Sequence, residues 1–354
     1  WVWGALRWGF SWSAEAIAQS CMDDPHAPPP PSEAERAALE GDNIANAPAH
    51  VAGDYPEWLD ASFARAFGDA RAAEGAALAA PAPLDLRTNL LKATRDKVIA
   101  ALGESPKLKE PPQATPYAPD GVRIPWAQGR TFPWATEQSF LKGWFEVQDE
   151  GSQLAAMLCG AQPGMQVADV CAGGGGKTLA LAAAMQNKGQ IFAHDVDGRR
   201  LAPLKERLER AGVRNAQIRA PMRTKDALGD LVGRMDLVLV DAPCTGAGTW
   251  RRSPDSKWRL RPNAMAKRLE EQRAALAMAA PLVRPGGRLM YVTCSVLPEE
   301  NEDQAAAFLA AYADFAPVGL NIDFPAYARA VGLQMTPLIT GCDGFYAAAF
   351  TRRG

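Results

Sequence analysis

The chain has 354 residues, of which 47% are hydrophobic, and is therefore long enough for two or three domains with a substantial core. Its longest apolar runs have the length of strands, which argues against a membrane span, and its six cysteines lack the paired spacing of a disulfide framework or a zinc site. The net charge of −2 is unevenly distributed along the chain. Residues 1–80 carry 12 acidic and 4 basic side chains, whereas residues 81–354 carry 28 acidic and 34 basic side chains. A mildly basic body is compatible with a polyanionic partner without requiring one.

Residues 1–80 predict an acidic helical segment that ends in a linker. The first residue is Trp1 and no secretory signal pattern follows, so we expect a chain that was trimmed or begins within a longer protein, in a reducing cytoplasmic location. Four prolines at 28–31 form a stiff break, and Ser32 with Glu35 forms a capping box that opens a short helix. The Ala-rich stretch that leads to the prolines at 81 and 83 predicts a linker. Helical spacing before it is shared by four apolar residues, Trp58, Leu59, Phe63 and Phe67.

Residues 81–146 predict a small α+β module. Residues 84–89 alternate as a strand, residues 94–102 have helical spacing, and residues 143–148 form another strand-like run. Prolines and turns dominate between the helix and the second strand.

From residue 147 onwards, strands and helices alternate in a pattern that predicts one α/β domain. Strands are expected at 166–170, 190–194, 217–219, 236–240, 288–293 and 344–350, and helices at 153–159, 178–186, 198–211, 264–283 and 299–311. This alternation predicts a doubly wound parallel sheet, whose ligands bind beyond the carboxyl ends of the strands.

A glycine-rich turn, Cys-Ala-Gly-Gly-Gly-Gly-Lys at 171–177, follows the first of these strands. It is not a phosphate loop, because that motif requires glycine where Cys171 stands, and an NAD-type turn would need glycine at Thr178 or Leu179. Glycines let the backbone approach a ligand closely, and Asp195, at the end of the next strand, can accept bonds from ribose hydroxyls. The pattern favours S-adenosylmethionine as the cofactor. A turn that serves only tight packing is the alternative.

Two cysteines, Cys244 and Cys294, each follow a predicted strand, and we expect both to face the same cleft. Thiolate addition at C6 of a pyrimidine activates C5 for methylation, and a base must then remove the C5 proton so that the thiol can leave. Asp241, three residues before Cys244, can stabilise charge that develops on the ring. A buried cysteine is usually a small hydrophobic residue, which is the interpretation adopted for the remaining four, Cys21, Cys159, Cys342 and, within the glycine turn, Cys171.

The segments around both cysteines resemble signatures of the Sun/Fmu (RsmB-like, Nop/Sun) family of RNA cytosine-5 methyltransferases. They read Asp-Ala-Pro-Cys-Thr-Gly-Ala-Gly-Thr-Trp-Arg-Arg-Ser-Pro-Asp-Ser-Lys-Trp at 241–258 and Thr-Cys-Ser-Val-Leu-Pro-Glu-Glu-Asn at 293–301. Gln-Asp-Glu-Gly-Ser-Gln at 148–153 and Asp-Gly-Phe-Tyr at 343–346 resemble the start of that family's catalytic domain and its closing strand. The resemblance covers about residues 80–354. It implies a Rossmann-like class I methyltransferase domain over 147–354, an RRM-like module over 81–146 and a remnant of a helical N-terminal domain.

The resemblance also implies the roles of the site residues. Cys294 would be the nucleophile at C6, Cys244 would help to resolve the adduct, and Asp241 would contact the cytosine ring near the methyl end of the cofactor. A lysine exposed to solvent is the plain alternative for Lys177, although a cation at a helix start opposes the helix dipole. The cofactor contacts would be Asp195 at the ribose, Asp241, and the turn residues Cys171, Ala172, Gly173, Gly174, Gly175, Gly176 and Lys177.

The chain departs from the family pattern in two places. The family turn is Cys-Ala-Ala-Pro-Gly-Gly-Lys, so Gly173 and Gly174 replace Ala-Pro, and the added backbone freedom, about 1 kcal/mol per glycine, is expected to weaken cofactor binding without abolishing it. The family also places an acid near the adenine after the third strand. Residues 219–223 contain none, and the next acid is Asp226, so this contact is not transferred.

The segment just past Cys244 combines cations with aromatic rings, which suits a single-stranded or flipped-out RNA target, with a solvated loop as the alternative. The candidate RNA contacts are Arg251, Arg252, Lys257, Trp258 and Arg259. We therefore predict S-adenosylmethionine-dependent methylation of cytosine C5 in RNA, with 16S-type ribosomal RNA ahead of tRNA, by a monomer without a membrane partner. A catalytically silent RNA-binding assembly factor and a phosphate-loop NTPase are the alternatives, and Cys171 disfavours the second.

Overall fold

In the computed structural model, which describes residues 2–4, 6–7, 12–23, 27–41, 47–222 and 226–354, helices occupy the N-terminal part of the chain. The capping box is present, because the Ser32 amide donates to Glu35 Oε2 at 2.8 Å and the Glu35 amide donates to Ser32 Oγ at 3.3 Å. The expected linker is wrong for residues 71–79, which form a helix, as their high alanine content favours. The helices are Val2–Gly4, Ala14–Asp23, Glu33–Gly41, Ala49–Ala52, Asp60–Phe67 and Arg71–Ala79, with 3-10 turns at Glu57–Leu59 and Gly68–Ala70.

The helices that follow residue 56 pack onto the C-terminal domain. The Phe63 ring stacks on Tyr55 at 4.2 Å between centroids and on Trp250 at 6.0 Å. Buried Glu74 accepts hydrogen bonds from the Tyr327 hydroxyl at 2.7 Å and from Thr336 Oγ1 at 3.0 Å. This helical segment therefore supports the loop that contains Trp250, six residues after Cys244.

A four-stranded antiparallel sheet follows, in the order β2-β3-β1-β4. Its strands are β1 Leu84–Thr88, β2 Gln113–Ala114, β3 Gly121–Ile124 and β4 Phe145–Val147. Helix Arg95–Gly103 covers it, with Thr94 as the N-cap, and shorter helices lie at Trp126–Gly129, Trp134–Thr136 and Gln138–Leu141. The predicted strand, helix and strand are all present. Sequence reasoning missed β2 and β3 because they are short and lie among prolines.

The larger sheet has the order β11-β12-β13-β9-β8-β5-β6-β7, and β10 pairs with β13. Strands β5 to β9 are mutually parallel, as predicted, but β13 runs antiparallel to β9, so the sheet is mixed. The residues of β13 form a continuous apolar run, which would be buried in a parallel or in an antiparallel strand, so the sequence does not predict the direction of this strand. The strands are β5 Gln166–Asp169, β6 Gln190–His194, β7 Ala216–Arg219, β8 Met235–Asp241, β9 Val283–Thr293, β10 Phe315–Val318, β11 Tyr327–Ala328, β12 Leu333–Met335 and β13 Phe345–Arg352.

Helices cover both faces of this sheet. They are Glu150–Leu158, Gly176–Ala184, Leu204–Ala211, Pro262–Ala279 and Glu302–Ala311, with short ones at Gly229–Leu231, Ala247–Arg252, Ser256–Arg259, Ala280–Leu282 and Pro337–Thr340. The chain passes from β5 to β6 on one side and later returns to β8 on the other, so a crevice opens between the carboxyl ends of β5 and β8.

Within the described part of the chain, no helix has the length and apolar character needed to cross a membrane. The same residues contain no group of three or more His, Cys, Asp and Glu side chains that could hold a metal ion.

Candidate active site

A cleft of about 440 Å³ lies at the carboxyl ends of β5 and β8, beside the residues that follow β4. Its wall combines the backbone of the glycine turn with charged side chains, which include Lys177, Asp241, Arg200, Arg207 and Arg252. A concave site of this size with a few convergent polar groups is typical of small-molecule and cofactor binding.

The glycine turn carries the backbone along the cleft. Gly173 and Gly175 have φ angles of +50° and +87°, which residues with a Cβ rarely adopt, and a Cβ on Gly175 would lie 2.1 Å from Leu204 Cδ1. Helix Gly176–Ala184 begins where the turn ends, and Thr178 in its first turn donates from Oγ1 to Asp169 Oδ2 at 2.7 Å.

Asp169, the last residue of β5, has one carboxylate oxygen without a hydrogen-bond partner. The side chain is 1% exposed, and its Oδ1 meets no donor among the described residues. Burial raises the pKa of Asp169 to about 7, opposed by the hydrogen bond from Thr178 and reinforced by the negative charge of Asp241. An unsatisfied buried oxygen costs about 1–3 kcal/mol, and a ligand donor beside it would remove that cost. Sequence reasoning did not select this residue, although it stands directly before the glycine turn.

Asp195 lies against the glycine turn at the end of β6 and is 1% exposed. The Gly173 amide donates to Asp195 Oδ2 at 3.1 Å, and the Asp197 amide donates to Oδ1 at 3.0 Å. Arg200 Nη1 lies 3.0 Å from Oδ2 and is about half exposed. The carboxylate is thus fixed by two backbone amides, and the half-exposed guanidinium of Arg200 covers it.

Lys177 is buried, and its Nζ lies 2.8 Å from Asp241 Oδ2. Burial alone would lower the pKa of Lys177, but the charge and hydrogen bond of Asp241, together with Cys294, raise it above its usual value. The solvated alternative for Lys177 is therefore wrong, because this cation lies inside the cleft and links the glycine turn to β8.

The two candidate catalytic cysteines lie side by side, with 3.2 Å between Cys244 Sγ and Cys294 Sγ. The hydrogen bond to Cys294, then burial and the charges of Cys294 and Glu300, raise the pKa of Cys244 well above its usual value. Cys244 therefore retains its proton at neutral pH, and its S–H can donate to the sulfur of Cys294. The structure brings together the two thiols that the sequence placed 50 residues apart.

The two cysteine loops are joined by a buried acid, Glu300. Its Oε1 accepts bonds from the Thr245 amide at 2.8 Å and Gln272 Nε2 at 3.0 Å, and its Oε2 accepts from Thr245 Oγ1 and Ser295 Oγ, both at 2.5 Å. Burial raises the pKa of Glu300. The residue lies in the quoted 293–301 motif, but nothing in the sequence indicated that the residue after each cysteine would bind it.

Backbone contacts also fix the spacing of these loops. The Gly248 amide donates to the Cys294 carbonyl at 3.0 Å, and the Gly344 amide donates to the Gly248 carbonyl at 2.8 Å. A Cβ on Gly248 would lie 2.0 Å from the Gly344 carbonyl oxygen. Position 248 therefore requires glycine, because the loop before β13 approaches it so closely.

The remaining cysteines lie apart from this thiol pair. Cys21, Cys159 and Cys342 are buried, and Cys171 is half-buried at the edge of the cleft. Burial raises the pKa of the Cys171 thiol well above its usual value.

Most of the candidate RNA-binding cations are paired within the protein. Arg251 is buried and donates from Nε to Asp343 Oδ1 at 2.5 Å, and Arg252 pairs with both Asp343 and Asp149, at 2.7 Å from the second. Buried Lys257 pairs with Asp54. These contacts join the loop after Cys244 to the N-terminal helical segment and to residues before β5 and before β13, and they bury Arg251 and Lys257 away from the surface. Asp149 and Asp343 lie in motifs to which the sequence gave no such function, and Asp54 lies in none of the motifs.

The other two candidates lie on the surface of that loop. Trp258 is 40% exposed, with Lys257 Nζ 5.5 Å from its ring centroid, and the exposed Arg259 pairs with Asp255. At the end of β7, Arg219 pairs with Asp230 at 2.9 Å. Residue 223, the last of the segment 219–223 in which the family acid is missing, lies outside the described residues together with 224 and 225.

The fold and this site define a Rossmann-like methyltransferase domain preceded by a ferredoxin-like module. A family model described as 16S rRNA methyltransferase RsmB/F matches residues 156–351, and a second, described as the ferredoxin-like domain of RsmF/B-like methyltransferases, matches residues 55–128. The chain belongs to this RsmB/F family, which confirms the resemblance found in the sequence. The family is one of S-adenosylmethionine-dependent methyltransferases, in agreement with the predicted cofactor.

Several relatives and solved structures are similar to the chain. The probable ribosomal RNA small subunit methyltransferase B of Synechocystis is 36% identical over 285 residues, 79% of this chain and 63% of that protein, and the corresponding protein of Sodalis glossinidius is 37% identical over 75% of this chain and 58% of its own length. The chain thus spans about three fifths of these relatives. The crystal structure of PH0851 superposes with a TM-score of 0.77 at 30% identity, covering 93% of this chain and 70% of that one. A methyltransferase homolog from Pyrococcus horikoshii gives 0.71 at 26% identity, covering 86% and 98%.

Proposed function

We propose that this protein transfers a methyl group from S-adenosylmethionine to C5 of a cytosine in RNA, through a covalent adduct between Cys294 and C6, and that the RNA is 16S-type ribosomal RNA. The observation that carries the proposal is the pair of thiols 3.2 Å apart beside the Lys177–Asp241 ion pair. The names of the related proteins support ribosomal RNA as the substrate class.

The residues of the cleft fit this cofactor. The glycine turn admits it close to the backbone, and the unpartnered Asp169 Oδ1, buried next to the turn, can accept from its ammonium group. Asp195 can accept from its ribose hydroxyls once the Arg200 side chain, which pairs with Oδ2, moves aside. When bound, S-adenosylmethionine supplies an electrophilic methyl group on a sulfonium sulfur.

The side chains around the ring position support a two-step reaction. Cys294 attacks C6 as a thiolate, with the Cys244 thiol and the Lys177 ammonium beside it. The electron density that develops on the ring is met by the Lys177 ammonium, which donates to Asp241 Oδ2, and C5 becomes the nucleophile that accepts the methyl group. In the second step a water molecule accepts the proton of C5, the electrons of that C–H bond form the C5–C6 double bond, and the C6–S bond breaks with its electrons returning to the sulfur of Cys294, beside Cys244.

The test is methyl transfer from labelled S-adenosylmethionine to ribosomal RNA, to small-subunit particles and to tRNA, followed by nucleoside analysis. We expect label in 5-methylcytidine of small-subunit RNA. Label confined to tRNA would establish the tRNA alternative, and label in another nucleoside would contradict the proposed chemistry. Binding of S-adenosylhomocysteine without label on any RNA would favour the silent assembly factor.

Asp169 predicts how cofactor binding depends on pH. The acid ionises as the pH rises through about 7, and only the carboxylate attracts the cofactor ammonium, so affinity for S-adenosylhomocysteine is expected to rise about tenfold from about pH 6 to about pH 8. Calorimetric titration across this range measures the effect. Asp169→Asn is the matched control and should show weaker binding with little pH dependence. An equal rise in both proteins would assign the titration to another group.

A further inference from the structure

The glycine turn contains four consecutive glycines, 173–176, yet one of its carbonyls is held by a side chain from a neighbouring helix. Arg207, on helix Leu204–Ala211, donates from Nη1 to the Gly174 carbonyl at 2.5 Å. A charged donor to a backbone acceptor is among the stronger hydrogen bonds in a protein. The turn is thus held from two sides, by Asp195 at the Gly173 amide and by Arg207 at the Gly174 carbonyl.

The same guanidinium is held on its other side by the small sheet. Glu146, in β4, is 3% exposed, and its Oε2 accepts from Arg207 Nε at 3.2 Å and from Nη2 at 2.9 Å. Arg210 Nη2 binds the other oxygen of Glu146 at 2.5 Å, but no contact joins Arg210 to the glycine turn among the described residues. Arg207 therefore bridges the ferredoxin-like module and the cofactor turn, whereas Arg210 only joins the helix to the module.

The helix that carries Arg207 is attached to the module independently of this bridge. Asn89 Nδ2 donates to the Ala211 carbonyl at 2.8 Å, and Lys92 Nζ donates to the Arg210 carbonyl at 2.6 Å. A change at position 207 should therefore leave the helix in place. A substitution of Arg207 therefore removes the bridge to the glycine turn without detaching the helix from the ferredoxin-like module.

Glycine at position 174 makes room for the bridge. A Cβ there would lie 3.1 Å from Arg207 Nη1 and 3.7 Å from Pro203 Cγ, so a side chain at 174 would require the guanidinium to shift by a few tenths of an ångström. A stiffer residue would restrict the turn through its own backbone, whereas this chain restricts it through Arg207.

We propose that Arg207 is a positioning residue, which is held by Glu146 and fixes the glycine turn in the conformation that binds the cofactor. The ferredoxin-like module thereby sets cofactor affinity, in addition to any contact that it makes with RNA. The inference rests on the proposed function, because it takes the glycine turn as the S-adenosylmethionine site. A lysine cannot replace Arg207, since one ammonium cannot donate to Glu146 and to Gly174 in the same fork geometry.

The experiment is calorimetric titration of S-adenosylhomocysteine into the full chain and into its variants. Arg207→Ala and Arg207→Lys are each expected to weaken binding about tenfold or more, which corresponds to the loss of one charged hydrogen bond that orders the turn. Arg210→Ala is the matched control, with the same helix and the same partner, and should change affinity by less than about threefold. Thermal unfolding of each variant verifies that it is folded, and Arg207→Lys retains a charge if the alanine variant fails to fold.

A rescue variant separates positioning from general damage. In the Arg207→Ala background the space beside position 174 is free, so Gly174→Ala should recover about two- to fivefold in affinity by stiffening the turn, whereas the same change in the natural chain should weaken binding. Amide hydrogen exchange at 171–177 should rise in Arg207→Ala and fall again on rescue.

Each failure has a distinct meaning. No binding of S-adenosylhomocysteine by the unaltered chain would overturn the cofactor assignment itself. Normal binding by that chain, with equal losses in Arg207→Ala and Arg210→Ala or with no recovery on Gly174→Ala, would overturn the positioning role and leave the proposed function intact.

Discussion

Cys294→Ala is expected to lower methyl transfer to RNA by more than about 10⁴-fold, because the variant has no sulfur to add to C6 and cytosine C5 is a poor nucleophile without that addition. The fold and the cofactor site should persist, since the side chain is small and the loop is held through its backbone by Gly248. Labelled methyl transfer measures the loss, and titration with S-adenosylhomocysteine verifies the cofactor site.

Cys21→Ala is the control for this variant, because it also removes a thiol but lies on helix Ala14–Asp23, away from the cleft. Its activity should be unchanged. Retention of activity in Cys294→Ala, together with loss in Cys244→Ala, would exchange the two cysteine roles. Loss in the Cys21 control would show that the assay reports stability instead of chemistry.

The sequence was sufficient to place the parts of this site. The carboxyl ends of four strands, at Asp169, His194, Asp241 and Thr293, were predicted to within a residue, and the carboxyl ends of parallel strands share one edge of a sheet. The proximity of Cys244 to Cys294 could therefore be expected before any distance was measured. Their separation of 3.2 Å could not, since it depends on the loops and not on the strands.

Pairing between distant charges was the main limit of the sequence. Arg251 and Lys257 follow a catalytic motif and read as surface cations, but their partners lie 92 and 203 residues away, at Asp343 and Asp54. Local composition reports that a charge exists, not whether a carboxylate from another element reaches it. The same limit explains why Glu146 was not connected with the glycine turn.

Direction within the sheet was a second limit. The run that forms β13 is buried throughout most of its length, so it lacks the alternation that distinguishes an exposed antiparallel strand from a parallel one. The direction of β13 affects the site, because an antiparallel β13 begins at the sheet edge where β8 and β9 end. Asp343 and Gly344 are thereby placed against the loop after Cys244.

The two cysteines have different neighbours, and this difference supports the roles proposed for them. Cys244 keeps its proton, since the hydrogen bond to Cys294 and burial raise its pKa well above the usual value, and it lies next to the buried acid Glu300. Cys294 Sγ lies 3.2 Å from Cys244 Sγ, and Cys294 contributes to the raised pKa of Lys177. The thiolate that attacks is therefore expected at Cys294, and the thiol that assists departure is expected at Cys244.

Cys244→Ala is accordingly expected to accumulate a covalent complex with RNA. Addition at C6 and methylation need only Cys294, but without the neighbouring S–H the sulfur is poorly stabilised as a leaving group, so elimination should slow by about 10²–10³-fold, the usual scale for loss of one acid–base group. The adduct should appear on denaturing gels as a band that carries both protein and labelled RNA, and it should require S-adenosylmethionine.

The double variant Cys244→Ala/Cys294→Ala is the control for that complex and should retain no RNA under denaturing conditions. A band that persists in the double variant would mean that another thiol, such as the half-buried Cys171 at the cleft edge, forms the bond. A Cys244→Ala protein that turns over normally without a band would mean that the hydrogen bond between the two sulfurs has no part in release. The two sulfurs are in direct contact, so the proton between them is expected to affect release of the product and not attack on C6. Comparison of the single and double variants tests this expectation.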